Sequence, residues 1–476
     1  MSTLEQGPPA AFAALCLIAA FGCGHPRAGP RDPKPDVILY IIDGAAAERM
    51  SVYGYERRTT PFLERLAAEG AVFEHAYSNS SFTKTSVPSF MTSLQSSVLG
   101  GYRSATDVLP SRTETMAERM RRAGYSTEVL TSNPYCGRIS GLDRGVDVMR
   151  DTEAVSSRPS SADLNRAFWS SREARPAEPY WVHFQSTDVH RPWKAGDRLG
   201  ALRLPIEEYP AFDGPPEAPS DKAARARLIK AAGDLYDECM AFQDRSIGRL
   251  VERLKARGEW GRTLFIVAAD HSHVAAGLPF SDPEAPPWEA PILASQKSRI
   301  PMIFVWPGKI PAGRRLAEQV SLIDLLPTIL DLAGLPPLKV AQGRSLAPLL
   351  LGKSGWKARP VIFDEFYSDG AALFGSIEVV DGRYGASLRI DPRPEGKRSR
   401  RDLRRPSPLL VFDVRSDPHA LKCINDERPD LVAKYSRMLG RLWKDELALA
   451  PRFTRAGRIA MTPEEAGRLR SLGYLR

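Results

Sequence analysis

The sequence predicts an α/β protein: a mostly parallel sheet sandwiched by helices, followed by a smaller C-terminal α+β subdomain. Three observations predict it. Between residues 36 and 353, apolar β-type runs alternate with stretches of helical period, the pattern of strands joined by crossover helices. The first run, Val37-Ile38-Leu39-Tyr40-Ile41-Ile42, has no polar interruption, as a central strand covered on both faces requires. From about Ser354 the texture changes to short β-type runs separated by turns.

Taken in order, residues 1–22 read as a secretory leader. Their apolar run, 10–21, is shorter than the roughly 18 to 20 residues of a membrane helix and ends in small residues ahead of Cys23. That is the shape of an h-region before its cleavage site. It resembles a bacterial lipoprotein signal, in which Cys23 becomes the lipidated first residue, although the segment before the run carries Glu5 and no lysine or arginine. The expectation is an exported protein anchored by lipid in the membrane of the bacterial cell envelope. Residues 23–35 form a Pro/Gly-rich linker, and the strand at 37–42 runs into Asp43.

Thr60-Pro61 opens a short helix with Phe62, Leu63 and Leu66 on its apolar side, and Gly70 ends it. A second helix, 114–123, is closed by Gly124 and leads into a strand through Glu128-Val129-Leu130. Strands follow at 180–184 and 263–267, the latter after a long helical stretch at about 223–257. The strand 302–305 precedes an apolar helix around 325–332. In the subdomain, 354–450, β-type runs stand at 361–363, 376–380 and 409–412, and 392–406 reads as an exposed, Arg-rich, solvated loop. The tail, 451–476, carries a short helix at Pro463-Glu464-Glu465-Ala466.

With 476 residues, 43% hydrophobic and 26% charged, the chain has the balance of a folded protein. It has no internal apolar stretch long enough for a membrane span and no fixed repeat, which excludes polytopic transporters and solenoids. The net charge of +9 is spread along the chain, and without a nucleic-acid-reading motif it predicts no nucleic-acid partner. Of five cysteines, Cys16 lies in the leader and Cys23 is assigned. Cys136, Cys239 and Cys423 are spaced too widely for a local zinc or thioredoxin pattern, and an odd number leaves at least one free.

In open α/β sheets ligands bind beyond the carboxyl ends of the strands, and polar residues gather there. Asp43 follows the first strand, Asn133 the Val129 strand, Asp188 and His190 the Tyr180 strand, and Asp270-His271 the Thr263 strand. Four of seven histidines, His183, His190, His271 and His273, fall in two of these segments. Asp43, Asp270 and His271 make an O/O/N set for one divalent cation; imidazole favours zinc over calcium or magnesium. Taken singly, a strand-end Asp is more often a helix cap. Ser80-Ser81-Phe82-Thr83-Lys84-Thr85-Ser86 reads as a loop entering a helix, with Thr83 just before the first turn. A helix N-terminus stabilises an oxyanion while such a hydroxyl attacks; the alternative is that Thr83 or Ser86 caps the helix.

The motifs Asp36-Val37-Ile38-Leu39-Tyr40-Ile41-Ile42-Asp43, Tyr53-Gly54-Tyr55, Thr59-Thr60-Pro61-Phe62-Leu63 and Ser132-Asn133-Pro134-Tyr135 appear in order. Asp188-Val189-His190-Arg191-Pro192, Ala269-Asp270-His271, Trp306-Pro307-Gly308 and Gly343-Arg344-Ser345-Leu346 follow, and the ending Leu472-Gly473-Tyr474 completes the series. Together they resemble the sulfatase family of the alkaline phosphatase superfamily over nearly the whole mature chain. The resemblance implies an alkaline-phosphatase-like fold, with 36–353 as the catalytic domain. Sulfatases carry Cys or Ser in a Cys/Ser-x-Pro-x-Arg motif that is oxidised to formylglycine. Here Thr83 falls at that nucleophile position, Thr85 at the proline and Val87 at the arginine. A rival register makes Ser86 the nucleophile with Phe90 at the arginine; Thr83 is preferred because its register also matches the residues downstream. Further departures are Gly44 for a second acidic residue, Asn133 for a catalytic lysine and Ser272-His273 for Gly-Glu. Lys297 lies near a second family lysine but out of register.

Threonine nucleophiles in this superfamily belong to phosphoethanolamine transferases and nucleotide pyrophosphatase/phosphodiesterases. The resemblance therefore implies a metal-dependent hydrolase of sulfate or phosphate esters, through a covalent intermediate on Thr83. Asp43, Thr83, Asp270 and His271 would hold one divalent ion. His190, and less directly His273, would serve the leaving oxygen, and Asn133 the equatorial oxygens. The substrate would be an anionic ester on a small molecule, glycan or lipid headgroup, with phosphorus esters turned over at least as well as sulfate esters. The competing expectation is a catalytically degenerate sulfatase-like lipoprotein that binds an anionic glycan or headgroup.

Overall fold

Two sheets organise the chain. The computed structural model describes residues 34–150, 159–175, 179–191, 200, 202, 204, 221–272, 298–368, 373–391, 408–417, 420, 422–453 and 457–475. Its first sheet contains β1 (Asp36–Ile42), β2 (Ala71–Tyr77), β3 (Ser126–Thr131), β4 (Val148–Arg150), β5 (Tyr180–Ser186), β6 (Thr263–Ala268), β7 (Arg299–Ile300), β8 (Met302–Val305) and β9 (Arg314–Ser321). The order is β4-β3-β5-β1-β6-β8-β2-β7, with β9 paired to β2.

The uninterrupted run is the centre of this sheet. All seven residues of β1 are buried, because its neighbours β5 and β6 flank it in parallel, with Val37 level with Trp181 on one side and Leu264 on the other. Tyr40 and Phe184 stack with centroids 4.9 Å apart. The parallel half runs through β4, β3, β5, β1 and β6. Beyond it β8 is antiparallel to both β6 and β2, and β7 is antiparallel to β2. Strand β2 escaped the sequence pattern because Glu74 and His75 interrupt its apolar run. It is nonetheless required, since it carries the chain towards Thr83.

The helices cover this sheet. α1 (Pro61–Ala68) buries Phe62, Leu63 and Leu66 as expected. Its first N–H groups are satisfied from a distance: Asp244 takes Phe62 N and Leu63 N at 2.8 Å each. Gly70 ends the turn where a Cβ would stand 2.2 Å from the carbonyl oxygen of Phe304. α2 (Thr83–Thr92) is buried throughout. α3 (Met116–Arg122) begins two residues later than expected because Thr115 and Glu118 form a capping box. α4 (Ser161–Ala174), unread in the sequence, is followed by the long α5 (Lys222–Ala256), and the apolar helix Leu325–Leu332 stands where predicted.

The second sheet is an antiparallel meander of β10 (Val361–Ser368), β11 (Leu373–Asp381), β12 (Tyr384–Ile390) and β13 (Leu409–Asp413). The helix Pro429–Leu449 packs on it through Leu431, Tyr435 and Leu439, against Phe366, Ile377 and Val379. The sheet docks on the segment after α2, where the buried carboxylate of Asp364 accepts Ser96 N at 3.0 Å and Ser97 N at 2.7 Å. A last helix, Pro463–Ser471, longer than the four residues read from the sequence, buries Leu469 against Tyr135 and Ile139. Cys136, Cys239 and Cys423 are free thiols. Among the described residues no helix is long and apolar enough to cross a membrane. The leader, Cys16 and Cys23, residues 192–199, the Arg-rich loop 392–406, His273 and Lys297 lie outside the described residues.

Candidate active site

The carboxyl ends of β1, β3, β5 and β6 converge. Asp43 leaves β1 with its backbone N–H on Ser186 O at 2.9 Å, so the ends of β1 and β5 are pinned together. Gly44 follows at φ 77°, a conformation that a side chain strains. There its N–H reaches Asp270 Oδ1 at 3.2 Å. Glycine at the family's second acidic position is thus used to join two strand ends. Asp270 also accepts from His271 N at 2.9 Å, which turns the imidazole back towards Asp43: His271 Nε2 is 3.7 Å from both Asp43 Oδ1 and Asp270 Oδ2.

Asp43, Asp270 and His271 are buried and each offers a ligand atom within 4.8 Å of the others'. Two fully buried carboxylates face each other, and among the described residues no lysine or arginine pairs with them; the imidazoles of His271 and His190 stand 3.7 and 4.0 Å away. Burial, and next the charge of Asp270, raises the pKa of Asp43. Such a pair is costly without a counter-charge, so the donor set fits a divalent cation. Gln185, which sequence reasoning missed, donates from Nε2 to Asp43 Oδ2 at 3.1 Å and Asp270 Oδ2 at 3.2 Å. It holds the carboxylates in register, the kind of outer support that orients metal ligands. A polar side chain inside the buried strand β5 is the signal that could have revealed it.

Thr83 is the first residue of α2 rather than the residue before it. Phe82 is the N-cap and makes no side-chain cap bond, so the hydroxyl of Thr83 is not used as a cap. It lies 3.1 Å from His271 Nε2 and 3.5 Å from Asp43 Oδ1. Ser86, one turn on, points elsewhere and donates to Asp270 O at 2.6 Å. Lys84, next to Thr83, also turns away: its ammonium bonds Asp107 O, Ile139 O and Ser140 Oγ at 2.6, 2.6 and 2.8 Å. Burial lowers its pKa to about 7.

Asn133 donates to Asp43 Oδ2 at 2.7 Å and accepts from Tyr135 N at 3.0 Å, which orients its amide. His190 Nε2 stands 4.0 Å from Asp43 Oδ1. Asp188, from the same strand end, accepts Ser161 N at 3.0 Å and so supports the start of α4. His183 lies outside the group, buried inside β5 beside Trp181 and Phe90, and burial lowers its pKa to about 3. The second residue missed is Tyr474, whose hydroxyl lies 3.1 Å from Thr83 Oγ1. The signal available was the ending Leu472-Gly473-Tyr474 in the motif series, which marks the tail without specifying a return to the nucleophile.

The family model described as Sulfatase matches residues 35–335, and that described as N-sulphoglucosamine sulphohydrolase, C-terminal, matches residues 290–385. The chain is 26% identical over 416 residues to N-acetylgalactosamine-6-sulfatase of Canis lupus familiaris, covering 78% of this chain and 74% of that protein. It is 22% identical over 370 residues to an ulvan-active sulfatase of Formosa agariphila, spanning 70% of this chain and 59% of that one. In fold it is similar to the phosphonate monoester hydrolase of Agrobacterium radiobacter, with TM-score 0.66, 17% identity and coverage of 87% and 96% of the two chains. A protein solved in complex with its substrate D-glucosamine-2-N,6-O-disulfate gives TM-score 0.66 at 17% identity, with 88% and 98% covered. A sulfatase match over residues 35–335, on a mixed α/β sheet whose strand ends gather Asp43, Asp270 and His271, means that the chain belongs to the sulfatase family of the alkaline phosphatase superfamily.

Proposed function

We propose that the chain hydrolyses sulfate and phosphate esters in two steps, through a covalent intermediate on Thr83, as an exported protein anchored in the cell envelope through Cys23. One observation carries the catalytic reading: the hydroxyl of Thr83, not used as a cap, stands 3.1 Å from His271 Nε2 and 3.5 Å from Asp43 Oδ1 at the first turn of α2. A divalent cation held by Asp43, Asp270, His271 and Thr83, with zinc favoured by the imidazole, would supply a lowered hydroxyl pKa and a hold on one ester oxygen.

The chain's own groups account for the rest. The start of α2 directs its N–H dipoles at the ester oxygens as negative charge develops there. Asn133 keeps Asp43 in place by its 2.7 Å bond. Gln185 spaces the two carboxylates. His190, beside the cluster, serves the leaving oxygen as acid and then water as base in the second step. Val87, at the family's arginine position, is a buried core residue of α2, which supports a threonine hydroxyl rather than a formylglycine as the attacking group.

The substrate reading is an anionic ester on a small molecule, glycan or lipid headgroup. The names of the sulfatase relatives and the disulfated glucosamine bound by a structural neighbour support a sulfated sugar. The threonine and the phosphonate monoester hydrolase likeness support phosphorus esters. We hold phosphorus esters to be turned over at least as well as sulfate esters. Specificity constants for matched aryl sulfate, aryl phosphate and aryl phosphodiester, with Thr83→Ala as the blank, test both points. A Thr83-dependent preference for sulfate would overturn the second, and turnover undiminished in Thr83→Ala the first.

A further inference from the structure

The C-terminal tail reaches the reacting hydroxyl by a built route. Its helix Pro463–Ser471 starts with a capping box of Thr462 and Glu465. Arg138 pairs with Glu465 at 2.6 Å, and Leu469 is fully buried beside Tyr135 and Ile139. The approach to it is also fixed, by Ile459 N on Thr106 O at 3.2 Å and by the Asp107–Arg458 bridge. After the helix the chain turns at Gly473, φ 75°, and Tyr474 N returns to Leu469 O at 2.8 Å. The Tyr474 ring then lies against Tyr135, Phe82 and His190, with centroids 4.8, 5.6 and 5.2 Å away.

Three hydrogen-bonding groups meet the Tyr474 hydroxyl: Thr83 Oγ1 at 3.1 Å, His190 Nε2 at 2.7 Å and Asn133 Nδ2 at 3.3 Å. Their directions can be assigned. For a neutral His190 imidazole, the contact of Nδ1 with the carbonyl oxygen of Arg191, which only accepts, places the proton on Nδ1 and the lone pair on Nε2. The tyrosine therefore donates to His190. Its oxygen accepts from the Asn133 amide, which only donates, and from the Thr83 hydroxyl. Of the acceptors around Thr83 Oγ1 among the described residues, the Tyr474 oxygen is the one that lies outside the Asp43, Asp270 and His271 cluster.

We propose that Tyr474 is a catalytic residue that relays the Thr83 proton to His190. The proposal rests on the reading of Thr83 as nucleophile. As the Thr83 oxygen forms its bond to the sulfur or phosphorus of the ester, the bond from that atom to the leaving oxygen breaks. The Thr83 proton passes to the Tyr474 oxygen, the phenolic proton of Tyr474 passes to His190 Nε2, and His190 delivers it to the leaving oxygen. The balance is a threonine hydroxyl plus an ester giving a threonine ester plus an alcohol, with Tyr474 and His190 restored. The anchoring of the tail by Leu469, Glu465 and Arg458 marks it as a permanent wall of the site rather than a plug that must leave.

The test uses the full chain, metal-loaded, with an aryl phosphate and the matching aryl sulfate. Tyr474→Phe keeps the ring packing and removes the hydroxyl. The expected result is a fall in kcat of about 10- to 100-fold with KM within about twofold and an unchanged thermal midpoint. The Tyr474→Phe/His190→Gln double variant should be no slower than His190→Gln alone, as expected of groups in one hydrogen-bond chain, and the Tyr474→Phe loss should grow as the aryl leaving group becomes poorer, a dependence that a merely structural residue would not show. A Tyr474→Phe enzyme as fast as wild type, or faster, overturns the relay, as does a double variant whose losses multiply. If Thr83→Ala is inactive in the same assay, such a result counts against Tyr474 alone; if Thr83→Ala is active, the nucleophile reading and the relay fall together.

Discussion

The hydroxyl of Ser86 donates a 2.6 Å hydrogen bond to the backbone carbonyl of Asp270, tying the second turn of α2 to the end of β6. That bond directs the Ser86 hydroxyl at main chain, while the Thr83 hydroxyl, one turn earlier, faces Asp43 and His271.

The two hydroxyls should therefore separate cleanly by substitution. Thr83→Ala is expected to lower kcat by about 1,000-fold or more. Ser86→Ala removes one of two hydroxyls that meet the Asp270 carbonyl, that of Ser78 remaining, and should cost about 0.5–1.5 kcal/mol of stability with activity retained within about tenfold. Steady-state kinetics and denaturant titration of both variants measure this, and the reverse pattern would assign attack to Ser86.

Metal content should follow the carboxylates. Purified protein is expected to carry one divalent ion per chain, and Asp270→Ala to lose it, since the remaining buried charges no longer enclose the site. Gln185→Ala, which removes a support and not a ligand, should weaken affinity by about 10- to 100-fold. Elemental analysis and competition with a chelator decide; metal unaffected by Asp270→Ala would reject the site.

His183 should make the fold acid-sensitive. Its pKa is lowered by burial to about 3, against about 6.5 in the unfolded chain. Above pH 6.5 both states are neutral and the group has no pH-dependent effect. As the pH falls from 6.5 towards 3 the unfolded chain takes up a proton that the folded chain refuses, and stability drops. Between pH 6.5 and 5 the loss is about 2 kcal/mol. His183→Phe should flatten this part of the stability profile, as read by urea unfolding at pH 7 and pH 5; an unchanged slope would exclude His183 as its source.

Lipid attachment at Cys23 is expected when the full chain is expressed in a bacterium. Labelled fatty acid should be incorporated into the membrane-bound protein, and Cys23→Ser should be unlabelled. Equal labelling of both forms would place the anchor elsewhere.

Much of the site was legible because its residues sit at strand ends, and strand ends are local features. The run 37–42 ending in Asp43, the Thr263 strand ending in Asp270-His271 and the Val129 strand ending in Asn133 all carry apolar patterns that stop at a polar residue. Other elements were hidden by their composition. In β2, Glu74 and His75 broke the apolar run, and in α4 the helix Ser161–Ala174 mixes polar and buried positions without a clean stripe. The start of α2 was misplaced by one residue because Phe82, which supplies no side-chain bond, occupies the cap where a Ser or Thr is ordinarily expected.

By itself the sequence determined the α/β class and the central strand, and singled out Asp43, Asp270 and His271 at strand ends and Thr83 at a helix start, because each follows from short-range periodicity and composition or from motifs contiguous in the chain. Tertiary structure alone decided which side chains meet around them. Gln185 reaches two carboxylates that are 142 and 85 residues away in sequence, and Tyr474 reaches a hydroxyl 391 residues away. Such contacts are set by the pairing of β1 with β5 and β6, and by the packing of Leu469 against Tyr135 and Ile139. No local pattern encodes them, since they exist only once distant apolar surfaces have been buried together.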